Sequence, residues 1–251
     1  MKTLKQFINK SLVKSDYINE GIINIKDYRR IMKAREITPK DKEELQQIIE
    51  DTIKKEGNKC DLNFIDTYKI TDMSYLFFNF TDFNGDISKW DVSKVTNMSS
   101  MFLNSEFNVD ISDWDVSNVT DMFGMFANSK FTGNISKWDV SNVKSMGEMF
   151  DGARFNGDIS DWDVSNVRTM FRMFNNSMFN GDISDWDVSN VMLMRSMFEN
   201  SVFNGDISKW DMSNVKDMVD MFSDSLHKKY QTTGHDDNEP LLDKNGRFVK
   251  R

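Results

Sequence analysis

Carboxylates recur in this sequence at a fixed interval. Asp91, Asp115, Asp139, Asp163, Asp187 and Asp211 are spaced by 24 residues. A second column, five positions upstream, reads Asp86, Asp110, Asn134, Asp158, Asp182 and Asp206. A third changes sign along the chain: Lys89, Asp113, Lys137, Asp161, Asp185 and Lys209. Stacked about 5 Å apart, as neighbouring strands are, such columns would offer adjacent carboxylates to Ca²⁺ or a charged face to a basic protein. A third reading is structural. Ser93 to Ser213 follow the first column by two residues, and Asp or Ser side chains readily satisfy backbone N–H groups of their own turn. An acid repeated unchanged in every unit suits that role, because specificity comes from positions that vary. The varying Lys/Asp column is therefore the specificity candidate. In the second column, Asn134 shows that one unit manages without the charge, which a turn hydrogen bond tolerates and which would weaken a charge-dependent metal site.

Other chemistry finds less support. His227 and His235 lie in the C-terminal tail, Cys60 is the single cysteine, and no phosphate-binding or dinucleotide-binding fingerprint is present. Acid pairs are abundant, as a glycosidase requires, but catalytic carboxylates would sit in a distinctive local sequence and these repeat. No catalytic residue, cofactor or resident metal is expected. The Met pairs, Met98/Met101 through Met218/Met221, have the softness for Cu(I); set beside Val and Phe, they suit core packing between aromatic rings. Trp90, Trp114, Trp138, Trp162, Trp186 and Trp210 are expected inside as structural core.

The elements that must position these residues follow from the period. Six units run from 83 to 226, each close to F-N-G-D-I-S-(D/K)-W-D-V-S-N-V-x-x-M-x-x-M-F-x-x-S-x, and a degenerate unit at 58–82 precedes them one residue out of step. A period of 20–50 residues signals a solenoid whose units bury their apolar sides against each other. Ile111, Trp114, Val116 and Val119 follow the leucine-rich-repeat core pattern. Trp114 and Val116 alternate with Asp113, Asp115 and Ser117 as a short strand would. Val119, Met122, Met125 and Phe126 share one face of a two-turn helix, with Ser117 or Asn118 placed to cap it. Phe107-Asn108 then begins the next turn, usually with Gly following. Val109 replaces that Gly once, so the position does not require positive φ. The expected fold is an α/β solenoid, a leucine-rich-repeat-like right-handed array with one strand and one helix per unit.

These residues carry a resemblance. The unit W-D-V-S-N-V-x-x-M-x-x-M-F is similar to the BspA-like leucine-rich-repeat proteins of bacterial surfaces, and the segment Cys60–Phe77 resembles the way those arrays begin. The likeness covers 38–226. It implies a non-catalytic protein-interaction scaffold, often at a cell surface, and names no ligand.

The ends differ in character. Thr38-Pro39-Lys40-Asp41 reads as a helix start with Thr38 as N-cap. Leu45, Ile48, Ile49 and Ile53 form an apolar stripe and Gly57-Asn58 a stop, giving a capping helix over 38–57 that covers the first unit. The segment 1–37 is a basic extension; its first 35 residues hold nine basic and three acidic side chains. Leu4, Phe7, Ile8 and Leu12 fit an amphipathic helix, so a basic tail, a membrane-surface helix and a leader all compete. Met1 to Ile8 resembles leaders of proteins packaged into tailed-phage heads, and Ile18-Asn19-Glu20 is similar to sites their maturation proteases cut. Residues 227–251 are a polar tail.

Composition narrows the partners. The 251 residues carry a net charge of −8, of which the array 83–226 holds 22 acids against 11 bases; this disfavours nucleic acid and favours a protein partner with a basic surface. One cysteine excludes a disulfide framework. No apolar run is long enough to span a membrane, and no secretory signal is visible, so the compartment stays open between cell surface, cytoplasm and virion. A monomer is expected.

Overall fold

The structure is a computed structural model that describes residues 36–78 and 80–226. Among them there is one helix, α1 (Lys42–Glu56). Asp41, not Thr38, is its N-cap: its carboxylate accepts the Glu44 N–H at 2.9 Å, while Glu44 accepts from the Lys40 N–H at 2.9 Å. Gly57 ends the helix at φ 86°, its N–H donating to the Ile53 carbonyl, a conformation glycine adopts without Cβ strain. Leu45, Ile49 and Ile53 are buried and join the core of the array. Lys42 Nζ reaches Asp72 and Ser74, tying the helix to the first coil.

The strand-plus-helix unit is not what forms. The described residues contain no strand: successive coils meet in single parallel bridges, Asp72 to Asn97, Asn97 to Asp121, and onward to Asp217. The α/β solenoid expected from the sequence is therefore corrected to a stack of 24-residue coils built from tight turns. Two physical causes can be named.

The first acts on Trp-Asp-Val. Its inward and outward alternation is present, with Trp114 and Val116 buried and Asp113 and Asp115 exposed. The strand hydrogen bonds are not. Trp114 N–H turns back to the Ile111 carbonyl and Val119 N–H to Val116, and the N–H groups of Ser112 and Ser117 are taken by the carboxylates of Asp110 and Asp115. Side chains have claimed the donors that a ladder would use.

The second acts on Met-x-x-Met-Phe. Position 124 and its equivalents Ser100, Glu148, Arg172, Ser196 and Asp220 all have φ between 53° and 60°, and Asn104, Asn128, Gly152, Asn176, Asn200 and Asp224 are left-handed as well. Two left-handed residues within five positions break any α-helix. In its place, Met125 N–H donates to Met122, Ala127 to Gly124 and Ser129 to Phe126. The alternate N–H groups, of Met122, Gly124, Phe126 and Asn128, donate to Ser145, Gly147, Met149 and Asp151 of the next coil, while the carbonyls of Asp121, Phe123, Met125 and Ala127 accept from the coil before. With the Phe123 N–H donating to the Asp121 carboxylate, every N–H from Met122 to Ser129 and every carbonyl from Asp121 to Ala127 is satisfied, as burial demands.

Between the turns runs an aromatic core. Phe77, Phe102, Phe126, Phe150, Phe174, Phe198 and Phe222 form one column with centroid steps of 5.4 to 5.9 Å. Phe83 to Phe203 form a second at 6.2 to 6.4 Å, and the rings from Phe77 to Phe198 each touch the second-column ring that next follows in the chain at 4.1 to 4.4 Å. Offset stacking of this kind adds to area burial. The Met pairs from Met98 to Met197 are wholly buried, and all six Trp are inside. Trp90, Trp138, Trp162, Trp186 and Trp210 donate Nε1–H to a carbonyl of the preceding coil at 3.0 to 3.2 Å; Trp114 Nε1 is buried without such a bond. The glycines after Phe-Asn serve this core. A Cβ on Gly157 would lie 2.8 Å from the Phe155 ring, and one on Gly181 2.9 Å from Phe179. None of these glycines has positive φ, consistent with Val109 in that position.

Candidate binding face

The constant Asp column is exposed, and its carboxylates are already engaged. Asp91, Asp115, Asp139, Asp163, Asp187 and Asp211 each accept the N–H of the Ser two residues on, at 3.0 to 3.1 Å. Ser93, Ser117 and Ser141 add a hydroxyl bond at 2.6 Å. These bonds, the hydroxyl's first and the N–H's second, hold the carboxyls of Asp91 and Asp139 below their ordinary range. The second column repeats the device. Asp86, Asp110, Asp158, Asp182 and Asp206 accept the N–H of the Ser two residues on, and Asn134 does the same for Ser136 at 3.0 Å. The amide makes the same bond as the acid, which is why the unit tolerates it. At Asp110, Asp158 and Asp182 the backbone N–H, then the hydroxyl, lowers the carboxyl.

The varying column is different. Lys89, Asp113, Lys137, Asp161, Asp185 and Lys209 are all exposed. Within it, one ion pair joins neighbouring coils: Lys209 Nζ to Asp185 at 2.5 Å, with both side chains more than two-thirds exposed. An exposed pair of this kind contributes little to stability. Asp113 and Asp161 project to solvent with no turn to hold.

Placing charges on the coils separates the two sides. The segments from Phe to the residue before the central Val, such as 83–94 and 107–118, hold 14 of the array's 22 acids and four of its 11 bases. The turn segments that follow hold eight acids and seven bases. Nearly all the net negative charge thus lies on one side. It is densest in the fourth and fifth full coils, where Asp158, Asp161, Asp163, Asp182, Asp185 and Asp187 are all exposed.

Three features had no counterpart in the sequence reading. Asp72, Asn97, Asp121 and Asp217 make a third turn column, each accepting the N–H two residues on. Asn118, Asn142, Asn166, Asn190 and Asn214 are not helix caps; each donates Nδ2–H to a Ser carbonyl of the preceding coil at 2.7 to 2.8 Å. On the turn side, Arg172 pairs with Asp151 at 3.1 Å and donates to Asn175, which donates to Glu199. Burial outweighs Arg172 here, and with Glu148 and Glu199 nearby it holds the Asp151 carboxyl above its usual range. Its only signal in the sequence is that these positions vary between units.

Among the described residues no group of three or more His, Cys, Asp or Glu side chains could hold a metal ion, and no helix is long and apolar enough to cross a membrane. Cys60 is buried; burial first, then Glu56, push its thiol up to about 11. His227, His235 and the leader-like residues 1–20 lie outside the described residues.

No curated protein and no solved structure matches the chain. A family model matches twice, over residues 44–154 and 127–235, which together take in most of the helix, every described coil and most of the chain. The chain belongs to the family described as Mycoplasma protein of unknown function, DUF285.

Proposed function

We propose that this protein is a non-enzymatic binding scaffold whose acidic side docks a protein with a basic surface. The observation that carries the reading is the segregation of charge: one side of the coil stack takes nearly all the net negative charge, on backbone held rigid by its own turn bonds. Rigid presentation lowers the ordering cost of docking, and a charged face steers a partner of opposite sign. The constant Asp residues maintain the turns, so partner choice falls to Lys89, Asp113, Lys137, Asp161, Asp185 and Lys209. The resemblance to BspA-like surface proteins agrees with this reading, which has the protein acting as a monomer.

The test is charge reversal at Asp113, Asp161 and Asp185 together, three positions that cap no turn. Pull-down from a host lysate, with captured proteins identified by mass spectrometry, should yield proteins with basic surfaces for the wild type and lose them for the triple variant. Raising salt should weaken capture in the same way. An unchanged set of captured proteins would sink the proposal.

A further inference from the structure

The acidic side has a counterpart of opposite sign in the same chain. Residues 1–35 carry nine basic and three acidic side chains, and Lys26, Arg29, Arg30, Lys33 and Arg35 crowd the last ten of those positions with a single acid, Asp27. This basic run lies outside the described residues, but the place where it joins the stack is described. Ile37 forms a parallel bridge with Ile65; its N–H donates to the Phe64 carbonyl and its carbonyl accepts the Asp66 N–H. Thr38 Oγ1 donates to the Asp66 carboxylate at 3.1 Å. Ile65 and Asp66 stand where later coils have Trp and the constant Asp. The basic run is therefore tethered at the first rung of the acidic side, and it ends two residues before the bridge.

Reach and charge both favour that side. With rungs about 5 Å apart, Trp162 and Trp186 stand ~25 and ~30 Å beyond Ile37. A chain spans at most about 3.3–3.6 Å per residue, so about seven to nine residues cover the distance. Arg30, Arg29 and Lys26 precede Ile37 by seven, eight and eleven positions. Beside those two Trp, Asp161, Asp163, Asp185 and Asp187 are exposed. A tether this short holds the run at about millimolar effective concentration, so little intrinsic affinity is needed for it to occupy the face. The turn side, with eight acids and seven bases, offers no comparable attraction. Residues 227–251, with six Lys and Arg against four acids, carry far less charge for the purpose.

We infer that residues 26–35 dock on the acidic side of their own coil stack and compete there with a basic partner. The inference rests on the acidic side being the docking surface, and it adds a regulation to that reading: a partner must displace the chain's own basic run. The contact is electrostatic, so ionic strength sets its occupancy. Loss of charge from residues 26–35 frees the face.

The test treats the full-length chain at low salt with a carbodiimide, which joins Lys amines to carboxylates without a spacer, and maps the linked peptides of the monomer by mass spectrometry. Lys209 and Asp185, paired on the surface, provide the internal control. Lys26 and Lys33 should link to Asp113, Asp161, Asp163, Asp185 or Asp187. Those links should vanish in about 1 M salt, where the Debye length is about 3 Å. No such link while the control forms would overturn the inference, as would equal linking to turn-side carboxylates or links confined to a dimer-sized product. A second arm uses a fluorescent oligolysine peptide as the basic partner. Replacing Lys26, Arg29, Arg30, Lys33 and Arg35 together by Gln should tighten its binding about tenfold at low salt, by removing the tethered competitor. Equal binding by wild type and variant would also count against it. If neither protein binds oligolysine, the docking reading itself falls, and the cross-links still decide whether the basic run occupies the face.

Discussion

Gly124→Ala discriminates between a helix and the observed turns by the sign of its effect. In the middle of a helix, Ala is better than Gly by about 1 kcal/mol, so the substitution would stabilise. Gly124 instead has φ 60°, where an L-residue costs about 1–2 kcal/mol. Against that stands the unfolded chain's loss of freedom, worth about 0.4–1 kcal/mol in favour of Ala. The new Cβ would also sit 3.1 Å from Ser100 Oγ, a close contact. The net expectation is a destabilisation of about 1 kcal/mol, and the two readings differ by about 2 kcal/mol. For a chain of this size that corresponds to a melting temperature lowered by about 2–4 °C. Urea unfolding followed by tryptophan fluorescence would give the free energy directly. Ser100→Ala combined with Gly124→Ala removes the contact and leaves the dihedral cost, so it should still destabilise relative to Ser100→Ala alone. A raised melting temperature in either Gly124 variant would refute the turn geometry.

Phe150→Ala removes a fully buried ring stacked on Phe126, Phe155 and Phe174 and should cost about 3–5 kcal/mol by urea unfolding; Phe150→Leu should cost clearly less. Stability should fall in acid. The folded pKa values of Asp91, Asp139, Asp110, Asp158 and Asp182 lie below their unfolded values, so their contribution is present above about pH 4 and lost as pH drops through the lowered values. Asp151 is shifted upward and opposes this weakly, favouring the fold when protonated; a pH series of melting curves for wild type and Asp91→Asn checks the balance, the variant losing less between neutral and acid pH. Millimolar Ca²⁺ or a chelator should leave the melting temperature unmoved, because the column carboxylates already serve their own turns and a stabilising ligand would raise it.

What could be read from the sequence was what a period reveals. The 24-residue repeat put Trp, Val, Met and Phe inside and Asp and Ser outside, and the spacing of Leu45, Ile49 and Ile53 gave α1. Its start was misplaced because Thr38-Pro39 looks like a cap, while the Asp41 carboxylate takes the Glu44 N–H and the Glu44 carboxylate takes the Lys40 N–H. The helix assigned to Met-x-x-Met-Phe failed for a deeper reason. Apolar residues at intervals of three and four are equally served by consecutive three-bond turns, and side-chain type at Ser100, Glu148, Arg172 and Ser196 gives no hint of left-handed backbone. The clue lay four residues on, where one column holds only Asn, Gly and Asp, the types that adopt this conformation most readily. The site was legible to a similar depth. The Asp columns were visible and their turn-holding role was among the readings, but the concentration of charge on one side appears only when coils are placed over one another. The Arg172 network, made by residues at positions that vary between units, could not be seen in a repeat alignment at all.

The repetition of the cross-coil bonds has a consequence for how such a chain can change length. At each junction the same groups cross in both directions, the N–H groups of Met122, Gly124, Phe126 and Asn128 to the next coil and the Thr120 N–H, Trp138 Nε1–H and Asn142 Nδ2–H to the coil before, so any coil fits on any other, and an in-frame duplication or loss of 24 codons leaves every remaining junction intact. A gain or loss of a single codon inside the stack would misalign the Phe columns and the ladder together. The chain carries one such offset, the 25-residue step from Phe77 to Phe102, and it falls in the first coil, under the helix. Growth by whole units is therefore cheap in this architecture.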